Sequence, residues 1–266
     1  MKVAVCQFGA TPDIPTNTEK VVAFAKQAAD QGAELLVTPE ASMIRLFDKS
    51  ESLVGRVEEL DGSFGTALAK ASEDYKITIA SGGFTPGDSE RVVNTLFVAQ
   101  DGKIAAHYDK IHLYDAFADK ESDKVKPGPL NVVTVDVNGT SVGLTTCYDL
   151  RFPEIFRLLM DQGAQVVVVP AAWVKGSMKE EHWLTLLRAR AIENTCFLVG
   201  SGECGERSVG RSAVFDPMGR QLTDLGGGEG MIVVDLDIAS VSKTREINPS
   251  LANRRFQVVG TEDREE

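Results

Sequence analysis

The sequence predicts a layered α/β protein in which mixed sheets are covered by helices. Short apolar runs alternate with amphipathic helical stretches along the whole chain, a pattern that calls for sheets with helices packed on them. Asp101-Gly102 and Asn138-Gly139 each fall between two strand-like runs. Such dipeptides suit type I′ hairpin turns, and tight hairpins argue against an all-parallel, doubly wound sheet. No linker or change of composition divides the chain, so residues 1–260 are expected to form one domain and the polar stretch 261–266 a flexible tail.

Taken in order, Val3–Phe8 reads as a strand. Thr16-Asn17-Thr18-Glu19 has the form of a capping box, which predicts a helix start there; Val21, Val22, Ala25, Ala28 and Ala29 supply its apolar stripe and Gly32 its stop. Ala33–Thr38 is a buried strand running into Pro39-Glu40. A helix over Ser63–Tyr75 leads to the strand Ile77–Ser81. The hairpin arms are 95–100 with 103–108, and 132–137 with 140–145. A helix opens at Pro153, runs to Gln162 and meets Gly163; Val166–Val169 is a buried strand, and Glu180–Asn194 a long helix. Strands at Cys196–Gly200, Ser212–Phe215 and Met231–Leu236 follow, with a glycine loop over 226–230.

The 266 residues are 43% hydrophobic and 25% charged, which excludes a collagenous or disordered chain. A net charge of −11 repels phosphate backbones and anionic lipid, so neither nucleic acid nor membrane is an expected partner. The four cysteines show no CxxC pattern, the N-terminus carries no signal-peptide pattern, and no apolar run approaches the ~20 residues of a membrane span. These features predict a cytoplasmic protein. Three histidines without ligand spacing, and a triple glycine outside any strand–helix context, predict no metal and no cofactor.

Three reactive side chains stand where apolar strands end: Glu40, Lys110 and Cys147. Ends of strands in layered folds face ligand crevices. Singly, each has an ordinary reading, since a Glu or Lys after a strand is usually a solvated loop residue and a lone Cys a small buried hydrophobe. Cys147 has the better local case. It opens the corner Cys147-Tyr148-Asp149-Leu150-Arg151-Phe152-Pro153, where a helix N-terminus and Arg151 are expected to favour thiolate and backbone N–H groups to receive an oxyanion. Cys6 and Cys196, inside strands, read as structural, and Cys204 as an exposed loop thiol. His107 lies within a strand, His112 is expected to be packed and hydrogen-bonded, and His182 opens a helix.

The segments VTPEAS (37–42), YDKIHLYD (108–115) and GLTTCYDLRFPE (143–154), with 70 and 37 residues separating Glu40, Lys110 and Cys147, resemble the nitrilase superfamily of carbon–nitrogen hydrolases. PAAW (170–173), HWLTLLRARAIEN (182–194) and GRSAVFDPMG (210–219) are similar too, so the resemblance covers nearly the whole chain. It implies a four-layer α-β-β-α sandwich and a division of labour. Cys147 would be the nucleophile, Glu40 the general base and acid, and Lys110 with the Tyr148 backbone N–H the stabilisers of the tetrahedral intermediate. Glu121 matches a further acidic position and would help positioning; Trp173 falls where a substrate-pocket side chain is delivered.

The implied activity is thiol-dependent hydrolysis of a small non-peptide linear amide, most similar to the omega-amidase and deaminated glutathione amidase branch. Substrates of that kind need a cation for a carboxylate, for which Arg45, Lys175 and Arg211 are candidates. The same triad serves N-carbamoyl amide hydrolases and nitrilases. A non-catalytic binding protein on this fold, or a thiol redox enzyme with Cys204 as resolving partner, are readings from other classes. The family implies a homodimer or larger homo-oligomer. Around the corner, Arg151 and Glu154 are expected to pair, Asp149 to cap the following helix, and one of Arg188 and Arg190 to be structural while the other is exposed.

Overall fold

Alternation along the first strand sets the layering. In β1 (Lys2–Gln7), Val3 and Val5 enter one core while Ala4 and Cys6 enter another, so the strand is covered on both faces. The computed structural model describes residues 1–45, 51–117 and 119–259; the tail expected at 261–266 lies outside them.

The first sheet joins β1 to β2 (Leu35–Val37), β3 (Thr78–Pro86), β4 (Val92–Gln100) and β5 (Lys103–Asp109). After a two-stranded ribbon of β6 (Asp115–Ala116) and β7 (Asp119–Lys120), the short β8 (Val125–Lys126) pairs with β4. The second sheet contains β9 (Thr134–Val137), β10 (Thr140–Leu144), β11 (Val166–Ala171), β12 (Phe197–Gly202), β13 (Ala213–Phe215) and β14 (Gln221–Asp224). The chain then returns to the first sheet, where β15 (Gly230–Asp235) lies on the outer side of β1. Parallel pairs occupy the middle of each sheet and antiparallel pairs the flanks, which is the mixed pattern the hairpins predict.

Helices α1 (Ile14–Asp30) and α2 (Ser63–Tyr75) cover the first sheet, burying Val21, Ala25, Phe64 and Leu68 against Ala4, Leu36 and Ile79. Helices α3 (Pro153–Asp161) and α4 (Lys179–Asn194) cover the second, with Phe156, Leu159, Trp183 and Leu187 against its valines. Between the sheets lie Val5, Val37, Leu96, Leu144 and Val168, in the same core. The order is therefore helices, sheet, sheet, helices. Pro170 is tolerated inside β11 because the ladder to β10 reaches only Val168.

The two turn dipeptides adopt the left-handed geometry expected of them, with φ of 50 and 79 at Asp101-Gly102 and 51 and 83 at Asn138-Gly139. One helix start differs from expectation. Asp13, not Thr16, caps α1: its carboxylate accepts from the Thr16 N–H at 2.9 Å, and Pro15 sits in the first turn where its missing N–H costs nothing. The pattern also missed β14 and the helix α5 (Ala239–Ile247), which buries only Val241 and Thr244 and so shows almost no apolar stripe. Arg190 is buried and Arg188 exposed, as expected of that pair. Among the described residues, no helix is long and apolar enough to cross a membrane.

Candidate active site

Glu40 lies just past β2, Lys110 directly after β5 and Cys147 just past β10, so two strands of one sheet and one of the other deliver them to the same end of the sandwich. All three are buried, at 5%, 2% and 7% exposure. The Lys110 ammonium donates to Glu40 Oε1 at 2.8 Å and to Glu121 at 2.8 and 3.0 Å. Glu40 Oε2 accepts from the Ala172 N–H at 2.7 Å, and the Cys147 thiol neighbours the same carboxylate. Glu121 also accepts from the Tyr114 N–H at 2.6 Å, so it is a built part of the cluster and not a solvated loop acid.

Electrostatics assigns the protons. Burial alone would raise the Glu40 carboxyl, but the charge and hydrogen bond of Lys110, with the Ala172 N–H, outweigh it and hold the group below its ordinary value. Burial alone would lower Lys110, yet the charges of Glu121 and Glu40 keep its ammonium well above the usual lysine value. Burial, then the Glu40 charge, push the Cys147 thiol well up, opposed by Lys110. The expectation of a resting thiolate is therefore corrected. Burial and the neighbouring carboxylate favour the protonated thiol over the thiolate.

The corner itself is strained and braced. Cys147 has φ 47, in the left-handed region that a non-glycine residue adopts at a cost of about 1–3 kcal/mol. The Asp149 carboxylate spans it by accepting from the Thr146 N–H, and the Asp149 N–H donates to the Thr146 carbonyl at 3.0 Å. Asp149 is wholly buried and accepts from the Thr146 N–H (2.8 Å) and the Tyr108 hydroxyl (2.7 Å), with His112 Nδ1 at 2.7 Å. It thus caps its own turn and anchors β5, rather than capping the following helix. His112, stacked on Phe152 at 3.8 Å, is the packed histidine expected. Arg151 makes no ion pair with Glu154; its guanidinium lies over the Trp173 ring at 4.9 Å.

A cavity of about 1200 Å³ opens on Cys147, Glu40 and Lys110. Trp173 lines it while also packing on Trp183, so it serves both pocket and core. Of the three cations put forward for a substrate carboxylate, Arg211 is bound by Asp224 and Glu180 and does not line the cavity. Arg45 lines it but is paired with Glu203, whose carboxyl is pushed up to about 7 by burial despite that pairing. Lys175 lines it with its ammonium donating to the Gly205 carbonyl. Cys204 is buried, not exposed, and burial with the charges of Glu229 and Glu203 raises its thiol pKa. Among the described residues, no cluster of three or more His, Cys, Asp or Glu could hold a metal ion.

Sequence reasoning missed three participants. Asn94, on β4, donates to Glu40 Oε1 at 2.9 Å. Gly82 lets the backbones meet: a Cβ there would lie 2.2 Å from the Glu40 carbonyl oxygen. Lys179 lines the cavity with its ammonium among aromatic rings. Only Asn94 and Gly82 carried a hint, being a polar residue and a glycine inside strand runs.

A buried thiol beside a carboxylate that is itself tied to an ammonium is the apparatus of covalent acyl chemistry. The family model for carbon-nitrogen hydrolases matches residues 2–246, and the chain belongs to that family. It is a thiol-dependent amidohydrolase, acting on carbon–nitrogen bonds other than peptide bonds. The chain is 39% identical to the deaminated glutathione amidase of Escherichia coli O157:H7, over 96% of this chain and 98% of that protein. It is 30% identical to that of Mus musculus, over 97% and 84%. A cysteine-to-alanine mutant of the Nesterenkonia AN1 amidase, from the nitrilase superfamily, superposes with a TM-score of 0.83 at 30% identity, over 96% of this chain and 94% of the other. Another mutant of that amidase shows covalent addition of the acetamide moiety of fluoroacetamide at the active site cysteine.

Proposed function

We propose that the chain hydrolyses a small linear amide whose acyl part carries a carboxylate: an ω-amide of an oxo acid, to the acid and ammonia, or a deaminated glutathione-type amide, to the acid and an amine. The observation that carries this reading is the convergence of the Cys147 thiol and the Lys110 ammonium on the one Glu40 carboxylate. Glu40 takes the thiol proton as Sγ bonds to the amide carbon. The developing oxyanion is met by Lys110 and the Tyr148 N–H. Glu40 returns its proton to the nitrogen, the C–N bond breaks, and ammonia leaves a thioester on Cys147. Glu40 then takes a proton from water, whose oxygen bonds to the thioester carbon; the acid is released and the thiol is protonated again. Glu121 holds Lys110 in place through both of its oxygens.

Residues 1–260 are taken to act as one carbon–nitrogen hydrolase domain, in the cytoplasm and as a homodimer or larger homo-oligomer. The family match over 2–246 and the composition support the first two, and family resemblance the third. The test is release of ammonia from ω-amides of oxo acids, aliphatic amides, N-carbamoyl amino acids and nitriles, and of the free amine from deaminated glutathione. Carboxylated amides are expected to be the best substrates, with Cys147→Ala losing at least about 10³-fold while remaining folded. A preference for N-carbamoyl compounds or nitriles, or release untouched by Cys147→Ala, would overturn the assignment.

A further inference from the structure

We infer that Lys179, with Arg151 beside it, is the element of the cavity that recognises a substrate carboxylate and so selects anionic over neutral amides. The inference rests on the amidase reading above and names the residue that gives it its substrate class. Lys179 is the first residue of α4 and follows Met178, whose left-handed backbone (φ 60) leaves its own side chain exposed. The Lys179 side chain turns into the cavity and is 5% exposed. Its ammonium lies 4.6 Å from the ring centres of Tyr114 and Phe117 and 4.9 Å from that of Trp173, and donates to the Tyr114 hydroxyl at 2.9 Å. An ammonium has three donors, and rings satisfy a cation only weakly.

No carboxylate pairs with Lys179 among the described residues, in contrast to Arg45 and Arg211. Burial and then the charge of Arg151 lower its pKa, and the charge of Asp119 opposes them. Arg151 shares two walls of the cage, standing 5.8 Å from the Phe117 ring centre and 4.9 Å from that of Trp173. It too lacks an acidic partner among the described residues, its Nη2 lying 3.3 Å from His182 Nδ1 and its Nε buried without a hydrogen bond. Two cations brought this close in a half-buried place repel each other unless an anion joins them. The cage is also tied to the reacting groups, since Tyr114 bonds Lys179 through its hydroxyl and Glu121 through its N–H. A carboxylate on Lys179 would therefore lie in the same cavity that opens on Cys147.

Three readouts on wild type, Lys179→Met and Lys179→Arg test this. Met is apolar and nearly as long as Lys, so it fills the cage without unfolding it. With a carboxylated amide and its methyl ester as substrates, Lys179→Met is expected to raise KM for the acid about 10- to 100-fold with kcat changed less than about threefold, and to leave the ester unaffected. Lys179→Arg is expected to recover part of the loss. In alkylation of Cys147, the ratio of rates for iodoacetate over iodoacetamide is expected to fall about tenfold in Lys179→Met. Glutarate is expected to bind wild type and not this variant in calorimetry. Equal losses for acid and ester, an unchanged alkylation ratio, or glutarate binding that survives the substitution would each overturn the role of Lys179. Absence of amide turnover from the wild type, with glutarate binding still dependent on Lys179, would sink the amidase reading and leave the anion site standing.

Discussion

Two lysines line the same cavity under comparable burial, and the molecule treats them in opposite ways. Lys110 is enclosed by Glu40 and Glu121 and its charge is fixed well beyond ordinary titration. Lys179 is enclosed by three aromatic rings and one hydroxyl, and burial lowers its pKa. Burial penalises both; the neighbours decide the sign. The carboxylate-bound lysine suits a group that must be cationic in every turnover. The ring-bound one suits a group that exchanges its anion with each substrate.

The sharpest way to break the comparison is to remove each charge in turn. Lys110→Met strands the buried Glu40 carboxylate and the half-buried Glu121, and is expected to destabilise the fold by about 3–5 kcal/mol in urea titration while abolishing ammonia release. Adding Glu121→Gln to it is expected to restore part of the stability and none of the activity.

A third buried charge gives an intermediate case. The Glu203 carboxyl, at about 7 in the fold, contributes stability that is whole below its ordinary 4.5 and is lost as the pH rises through 7. Glu203→Gln abolishes that slope. Between about pH 5 and pH 8, its melting temperature is expected to rise relative to wild type by the equivalent of roughly 3 kcal/mol. Parallel melting curves across that range would show that Arg45 already fixes the charge.

The smallest effect is expected at Lys179 itself. Because no carboxylate depends on it, Lys179→Met should change unfolding free energy by less than about 1 kcal/mol. A loss as large as that of Lys110→Met would mean that the two lysines are held for the same reason.

The difference between the two lysines also marks what was legible in the sequence. Glu40, Lys110 and Cys147 each end a strand, and strand ends are visible as apolar runs that stop. Their meeting was carried by the spacing of three segments. Glu121, in a run of charged residues, resembles any solvated acid until the 6–7 ribbon folds it back onto Lys110. Lys179 precedes two glutamates at a helix start and looks like a surface charge. Its cage is assembled from positions 114, 117 and 173, whose proximity no local pattern encodes. Arg45 and Arg211 illustrate the converse, since each is already paired with an acid distant in sequence. The layers were readable because alternation and turn chemistry are local; α5 was not, because its contact with the core is two residues wide.

The bond from Tyr108 on β5 to Asp149 beneath Cys147, and that from the Ala172 N–H beyond β11 to Glu40, both cross from one sheet to the other. The reacting atoms are thus aligned by the spacing of the two halves of the sandwich and not by either half alone. Such a site behaves as a gauge of that spacing. Substitutions deep between the sheets, at Leu96 or Val168, far along the chain from any reacting group, fall within its tolerance only if they preserve thickness. Evolution of new specificity is correspondingly confined to the rim, where loops and the first turn of α4 can change without moving one sheet against the other.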